Sequence, residues 1–270
     1  MSTAVSLPEV CPMPPAPRFE RFVAMGDSQT EGLWDGADDT GVRGWADRFA
    51  ERLARDNPAI GYANLAVRGR RVAEIRDEQL DAALAMRPDL VGICAGMNDV
   101  TAPGSDFVAA LDVLEELYAK LRATGATVVT TTFPDARRIV PLAARLIGPR
   151  IDLINERIRL CANRYDLHLV DLFGAPSMAD LRMWSPDRLH GSPEGHHRFA
   201  LAAAQALSLD DADDSWTVPP PNTEKHRAGD IFGELAWVAA TVRPWLWRRL
   251  RGTSTGDGRI AKRPTLRPLD

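Results

Sequence analysis

Five short apolar runs, each ending in small or polar residues, constrain this chain more than any other feature. They are Phe22–Met25, Ile60–Leu65, Leu90–Ala95, Thr127–Phe133 and Leu167–Leu172. Runs of this length, mostly aliphatic or β-branched, read as strands buried on both faces, the pattern of a parallel sheet. Segments with helical periodicity lie between them. Trp45–Arg55 sets Trp45, Phe49 and Leu53 on one face, and Phe107–Leu121 does the same with Phe107, Leu111, Leu114, Tyr118 and Leu121. Val72–Met86, Ile151–Tyr165 and Pro193–Leu207 continue the series, with Ser192 as N-cap and Pro193 at the first helical position of the last. Strands joined by helices require right-handed crossovers and give an α/β, doubly wound sheet. Ligands of such sheets bind beyond the C-terminal strand ends, so chemistry is expected just after each run.

The alternation divides the chain into three parts. Residues 1–18 hold Pro8, Pro12, Pro14, Pro15 and Pro17 and read as an extended arm. Residues 19–209 carry the α/β pattern. Residues 210–270 begin with a linker, Asp210–Asp214 and Pro219–Pro221, and continue into a tryptophan-rich extension. That extension is helix-like over Asp230–Leu250, broken at Pro244, and loosely structured from 252 to 270.

The formal net charge of −4 gives no reason to expect nucleic acid as a partner. It conceals an asymmetry: from Arg243 onward there are eight basic and two acidic residues, leaving 25 basic and 35 acidic before it. The tail therefore lies either on its own acidic body or on an anionic membrane surface. Trp237, Trp245 and Trp247 beside Arg243, Arg248, Arg249 and Arg251 fit both readings. Three scattered cysteines, Cys11, Cys94 and Cys161, suit neither a disulfide framework nor a thiolate metal site. The N-terminus lacks the charged and apolar regions of a secretory signal, and a cytoplasmic setting is the expectation.

Four short motifs fall where chemistry is expected. Gly26-Asp27-Ser28 directly follows the first strand and can present a hydroxyl on the first turn of a helix, or simply form a turn. Asn64-Leu65-Ala66-Val67-Arg68-Gly69 follows the second, and Gly96-Met97-Asn98-Asp99 the third. Each offers a hydrogen-bond donor, Gly69 N–H and the Asn98 amide, though each also suits an ordinary loop. Asp187-Arg188-Leu189-His190 sits on the turn entering the last helix. An aspartate three residues before a histidine can hold one ring nitrogen while the other faces a cleft, and a serine hydroxyl needs such a base. His196 and His197 have no zinc-site spacing and read as surface or supporting residues; the Gly32–Gly44 loop, with Trp34, flanks the predicted site.

In type, order and spacing the four blocks resemble those of SGNH hydrolases, the GDSL-type esterases and lipases, over roughly Phe19 to Leu207. The resemblance implies a flavodoxin-like, three-layer α/β/α fold with a five-stranded parallel sheet, followed here by a helical C-terminal extension. It implies Ser28 as nucleophile, His190 as base and Asp187 as its partner, with the Ser28 N–H, Gly69 N–H and Asn98 side chain as oxyanion hole. The implied activity is hydrolysis of a small-molecule acyl ester with no cofactor and no metal. The same residues would serve acyl transfer to another acceptor, or persist in a binding module. Substrate and oligomeric state are left open.

Overall fold

A computed structural model describes residues 18–102, 104, 106–221, 237–242, 244 and 255–269. The five expected strands form, as β1 (Arg21–Gly26), β4 (Gly61–Asn64), β5 (Leu90–Cys94), β6 (Thr127–Thr131) and β7 (His168–Val170). They lie in the order β7-β6-β5-β1-β4 and all pair in parallel. A sixth strand, β8 (Arg263–Arg267), joins the open edge of β4 antiparallel. Both the five-strand count and the loosely structured chain end are corrected by it. Arg263-Pro264-Thr265-Leu266-Arg267 has no apolar run, because an edge strand exposed on one side and carrying a proline needs none. Of the helix-like stretch Asp230–Leu250, residues 237–242 form a π-type turn, Val238–Val242 with Trp237 before it. Trp245, Trp247, Arg243, Arg248, Arg249 and Arg251 lie outside the described residues, as does the proline-rich arm up to Pro17.

The short helix α1 (Ser28–Glu31) leaves β1 and runs into a small hairpin, β2 (Gly36–Ala37) with β3 (Gly41–Val42). On one face of the sheet α2 (Trp45–Asp56) packs on α9 (Pro193–Ala206), Trp45 stacking on Phe199 with ring centroids 4.4 Å apart. The other face is covered by α3 (Val72–Ile75) and α4 (Asp81–Ala85), by α6 (Phe107–Ala123), and by α8 (Pro141–Tyr165). Phe22 stacks on Tyr62 and meets Phe49 edge-on, both at 5.3 Å. Gly92 in β5 leaves room for this aromatic layer: a Cβ there would stand 2.9 Å from the Trp45 ring. The helix expected from Ile151 begins ten residues earlier and runs through Pro149, preceded by α7 (Ala136–Ile139).

The linker packs on the body, with Trp216 buried and its Nε1 donating to Gln205 Oε1 at 2.6 Å. Further along the chain, Lys262 reaches back to Asp47 and to the carbonyls of Glu31 and Val42, and Arg259 pairs with Asp38. Over residues 255–269, then, the basic tail lies on its own acidic body. Among the described residues no helix is long and apolar enough to cross a membrane.

The chain passes from β1 to β4 on one side and then crosses to β5 on the other. This reversal leaves a crevice at the C-terminal end of β1, flanked by the loops after β4 and β5.

Candidate active site

Ser28 opens the helix that leaves β1. Asp27 caps it, its carboxylate accepting from Gln29 N–H at 3.2 Å, and Gly32 ends it at φ 99°. The approach to this turn is fixed from below by Gln79. Its amide donates to Gly26 O and accepts from Gly26 N–H, both at 2.9 Å. Gln79 belongs to a π-helical segment, Arg76–Leu80, that joins α3 to α4. The extra residue in that turn accompanies the side chain's inward aim. Gly26, at φ 140°, admits no side chain, since a Cβ would fall 2.2 Å from Cys94 O.

The Asp187–His190 turn faces Ser28 from the far end of the chain. An antiparallel bridge between Trp184 and Gly191 closes it, Ser185 N–H donates to His190 O, and Arg188 takes a left-handed φ of 56°. His190 Nε2 lies 2.7 Å from Ser28 Oγ, and His190 Nδ1 lies 2.7 Å from Asp187 Oδ2. Asp187 Oδ1 accepts from Ser185 Oγ at 2.6 Å, Leu189 N–H at 2.9 Å and His190 N–H at 3.1 Å. The indole N–H of Trp34 donates to Asp187 Oδ2 at 2.7 Å. Burial pushes this carboxyl upward, but the bonds and charge of His190, aided by Ser185 and Leu189, outweigh it and hold Asp187 well below the ordinary range.

Asn98 stands in α5 (Met97–Val100), whose entry at Gly96 has φ 117°. Its amide donates to Asp27 Oδ2 at 2.9 Å and to Arg70 O at 3.0 Å, so Asn98 lies beside the serine turn with its protons engaged. Gly69, at φ 82°, follows two anchored residues: Val67 N–H donates to Gly26 O, and Arg68 N–H to Glu31. Neither Ser28 N–H nor Gly69 N–H has an acceptor among the described residues. Asp27 is buried, and desolvation raises its carboxyl to about 6, against bonds from Gln29 and Asn98 and the charge of His190. Cys94 also lines the crevice, but burial first, and then the Asp27 charge, drive its thiol pKa far above the usual value and keep it protonated.

The two histidines on α9 differ. His197 is exposed. His196 is fully buried, accepting from Trp45 N–H at Nδ1 and meeting Leu33 O at Nε2, both at 3.2 Å. Burial holds it neutral, with its pKa lowered to about 4. It is a strut between α9, the start of α2 and the loop after α1. Sequence reading missed Gln79, the Trp34 contact and Asn155, whose amide brackets Phe133 N–H and O at 2.7 and 2.8 Å. No local signal marks these side chains, because each acts on backbone or carboxylate far away in sequence.

A cleft opens beside Ser28 and His190. Its walls are apolar: Phe133, Ile139, Ile147, Ile151, Leu172 and Leu189 contribute, under the roof formed by α7 and the first half of α8.

Residues 24–198 match the family described as GDSL-like Lipase/Acylhydrolase. Among solved structures, TesA is 25% identical, with 70% of this chain and 98% of that one covered and a TM-score of 0.54. LAE5, an alpha/beta hydrolase enzyme from the metagenome of Lake Arreo, Spain, is 23% identical over 70% of this chain and 94% of its own, with a TM-score of 0.57. Axe2, an acetylxylan esterase from Geobacillus stearothermophilus, is 19% identical over 72% and 97%, with a TM-score of 0.56. No curated protein matches the chain. The family match covers more than half of the sequence and takes in every block from β1 to α9: the chain belongs to the GDSL-like Lipase/Acylhydrolase family and is a hydrolase acting on ester bonds.

Proposed function

We propose that the chain hydrolyses carboxylic esters through an acyl-enzyme on Ser28. The observation that carries this reading is the unbroken line Ser28 Oγ–His190 Nε2 and His190 Nδ1–Asp187 Oδ2, each contact 2.7 Å. A hydroxyl becomes a nucleophile when a base takes its proton as it attacks, and the base works when its tautomer is fixed. Asp187, held ionised, accepts the Nδ1 proton and leaves Nε2 facing Ser28. Ser28 Oγ attacks the ester carbonyl while His190 takes its proton. The tetrahedral intermediate collapses as His190 returns that proton to the leaving alkoxide. Water then repeats the sequence, with His190 again as base, and frees the acid.

The unpaired Ser28 N–H, at the first turn of α1, supports its role as the leading oxyanion donor. Gly69 N–H and the Asn98 amide complete the hole. Asn98 serves by swinging one proton from Asp27 or Arg70 O toward the developing charge. The apolar cleft supports an acyl chain as the group bound beside Ser28, with the alcohol portion toward solvent.

The test is hydrolysis of p-nitrophenyl esters from acetate to decanoate by wild type and Ser28→Ala. Loss of roughly three or more orders of magnitude in the variant is expected, with an optimum beyond acetate. A variant that retains wild-type turnover while folded refutes the nucleophile. An optimum at acetate refutes the reading of the cleft.

A further inference from the structure

Asp187 presents two oxygens to different partners. Oδ1 is fixed by three donors within its own turn. Oδ2 receives His190 Nδ1 and, from 153 residues away, the indole N–H of Trp34, each at 2.7 Å. Trp34 is 45% exposed, so the contact is not enforced by burial. It is enforced by the loop. Trp34 stands at φ 74°, a backbone setting that side-chain-bearing residues seldom take, between Leu33 and Asp35, which are both tied down. Leu33 N–H donates to Ser28 O, and Leu33 O faces His196 Nε2. Asp35 pairs with Arg48 at 2.7 Å and accepts from Arg43 N–H. The same short loop thus connects to the Ser28 turn at one end and to the carboxylate behind His190 at the other.

Building on the Ser28–His190–Asp187 reading above, we propose that Trp34 is a positioning residue of this relay. Its indole N–H shares Asp187 Oδ2 with His190 and so sets how strongly that carboxylate holds the proton of the histidine. A donor on a carboxylate disperses its charge. Removing the donor leaves the whole of Oδ2 to His190 and strengthens that carboxylate's hold on the protonated ring. The other groups facing His190 are Asp27 at the cap of α1, neutral His196 on α9, and Arg188 on its own turn, stacked over Trp237 at 4.9 Å. Among the described residues 237–242 of the segment crossing that turn, none titrates.

Trp34→Phe keeps an aromatic ring and removes the donor. The acid limb of its kcat/KM profile should move up by about half a pH unit, giving roughly threefold lower kcat/KM at pH 5.5 and little change at pH 9. A packing role would instead lower the rate equally at every pH. Because Asp27 titrates nearby, His190 is also read directly, through the 15N shifts of its imidazole, assigned by the resonance missing in His190→Gln. In unaltered protein, the Trp34 indole N–H, assigned through its proximity to His190, should shift as His190 titrates. This keeps the test open even if the variant folds poorly. A superposable profile, a uniform loss, or an indole resonance that ignores His190 overturns the role of Trp34. Ser28→Ala run alongside separates this from the parent reading: turnover surviving there sinks the relay itself, whatever Trp34 does.

Discussion

The loop that carries Gly69 is anchored by a buried ion pair whose removal should be costly in a calculable way. The Arg68 side chain is 5% exposed and that of Glu31 8%. Arg68 Nη2 lies 2.6 Å from Glu31 Oε1, and Nε lies 3.0 Å from both carboxylate oxygens. Arg68→Met keeps most of the volume and removes the charge. Glu31 is then left with Arg68 N–H at 2.7 Å and Arg259 at 3.9 Å. Breaking a buried pair from one side costs about 3–5 kcal/mol, and the nearby Arg259 places this case at about 3. At about 2–4 °C per kcal/mol for a domain of this size, Tm should fall by roughly 6–12 °C. The double variant Glu31→Gln with Arg68→Met removes both charges and should recover at least half of that loss. Calorimetry of the three proteins decides it. A single variant within about 1 kcal/mol of wild type, or a double variant no more stable than the single, would refute the view that an orphaned charge dominates the cost.

Two further substitutions probe how the site is held. Lys262→Met removes the bonds to Asp47 and to the Glu31 and Val42 carbonyls, and should cost about 1–3 kcal/mol while exposing residues 255–269 to limited proteolysis; unchanged cleavage would show that β8 pairing alone fixes the tail. Gly96→Ala combines φ 117° with a Cβ 2.5 Å from Ile154 Cδ1, so a loss of at least about 2 kcal/mol is expected by urea denaturation, only partly relieved by adding Ile154→Val.

What the sequence disclosed depends on how locally each feature is encoded. The parallel strands were readable because burial on both faces demands unbroken runs such as Leu90–Cys94, fully buried in the structure. The meeting of Ser28, His190 and Asp187 is foreshadowed in the sequence because Gly-Asp-Ser at a strand end and an aspartate three residues before a histidine are short, local motifs. The strand Arg263–Arg267 was not, since its stability comes from the β4 edge and from Lys262 and Arg263 anchors, not from its own composition. Helix periodicity is legible only from Ile151, whereas α8 starts with Pro141 in its first turn, runs through Pro149 and is packed against α7. Gln79 and Trp34 act on partners 53 and 153 residues away, a relation that only the folded chain contains.

Two buried groups titrate in opposite senses over the same pH interval, and this opposition is itself testable. His196 has its pKa lowered to about 4 by burial, from 6.5, so the unfolded chain takes up its proton first as pH falls. Stability from His196 is present above about pH 6.5 and is lost on acidification. Asp27 is raised to about 6 from 3.8, so the folded state takes up that proton first. Its contribution is present below about pH 4 and is lost as pH rises through 6. Between pH 7.5 and pH 5, at 1.36 kcal/mol per pH unit, His196 should remove about 2 kcal/mol and Asp27 restore about 1.4. The two nearly cancel, and wild type should change little from these groups across the interval. Asp27→Asn removes the compensating term, so its stability should drop by about 1.4 kcal/mol more than that of wild type on going to pH 5. His196→Gln removes the other, and should gain on acidification relative to wild type by about 2 kcal/mol, whatever its constant cost from the lost Trp45 contact. Urea midpoints at the two pH values for the three proteins measure both differences. Should the variants run parallel to wild type, neither group is buried as deeply as the fold places it. Should they shift in the same direction, the assignment of sign, neutral histidine against protonatable aspartate, is wrong.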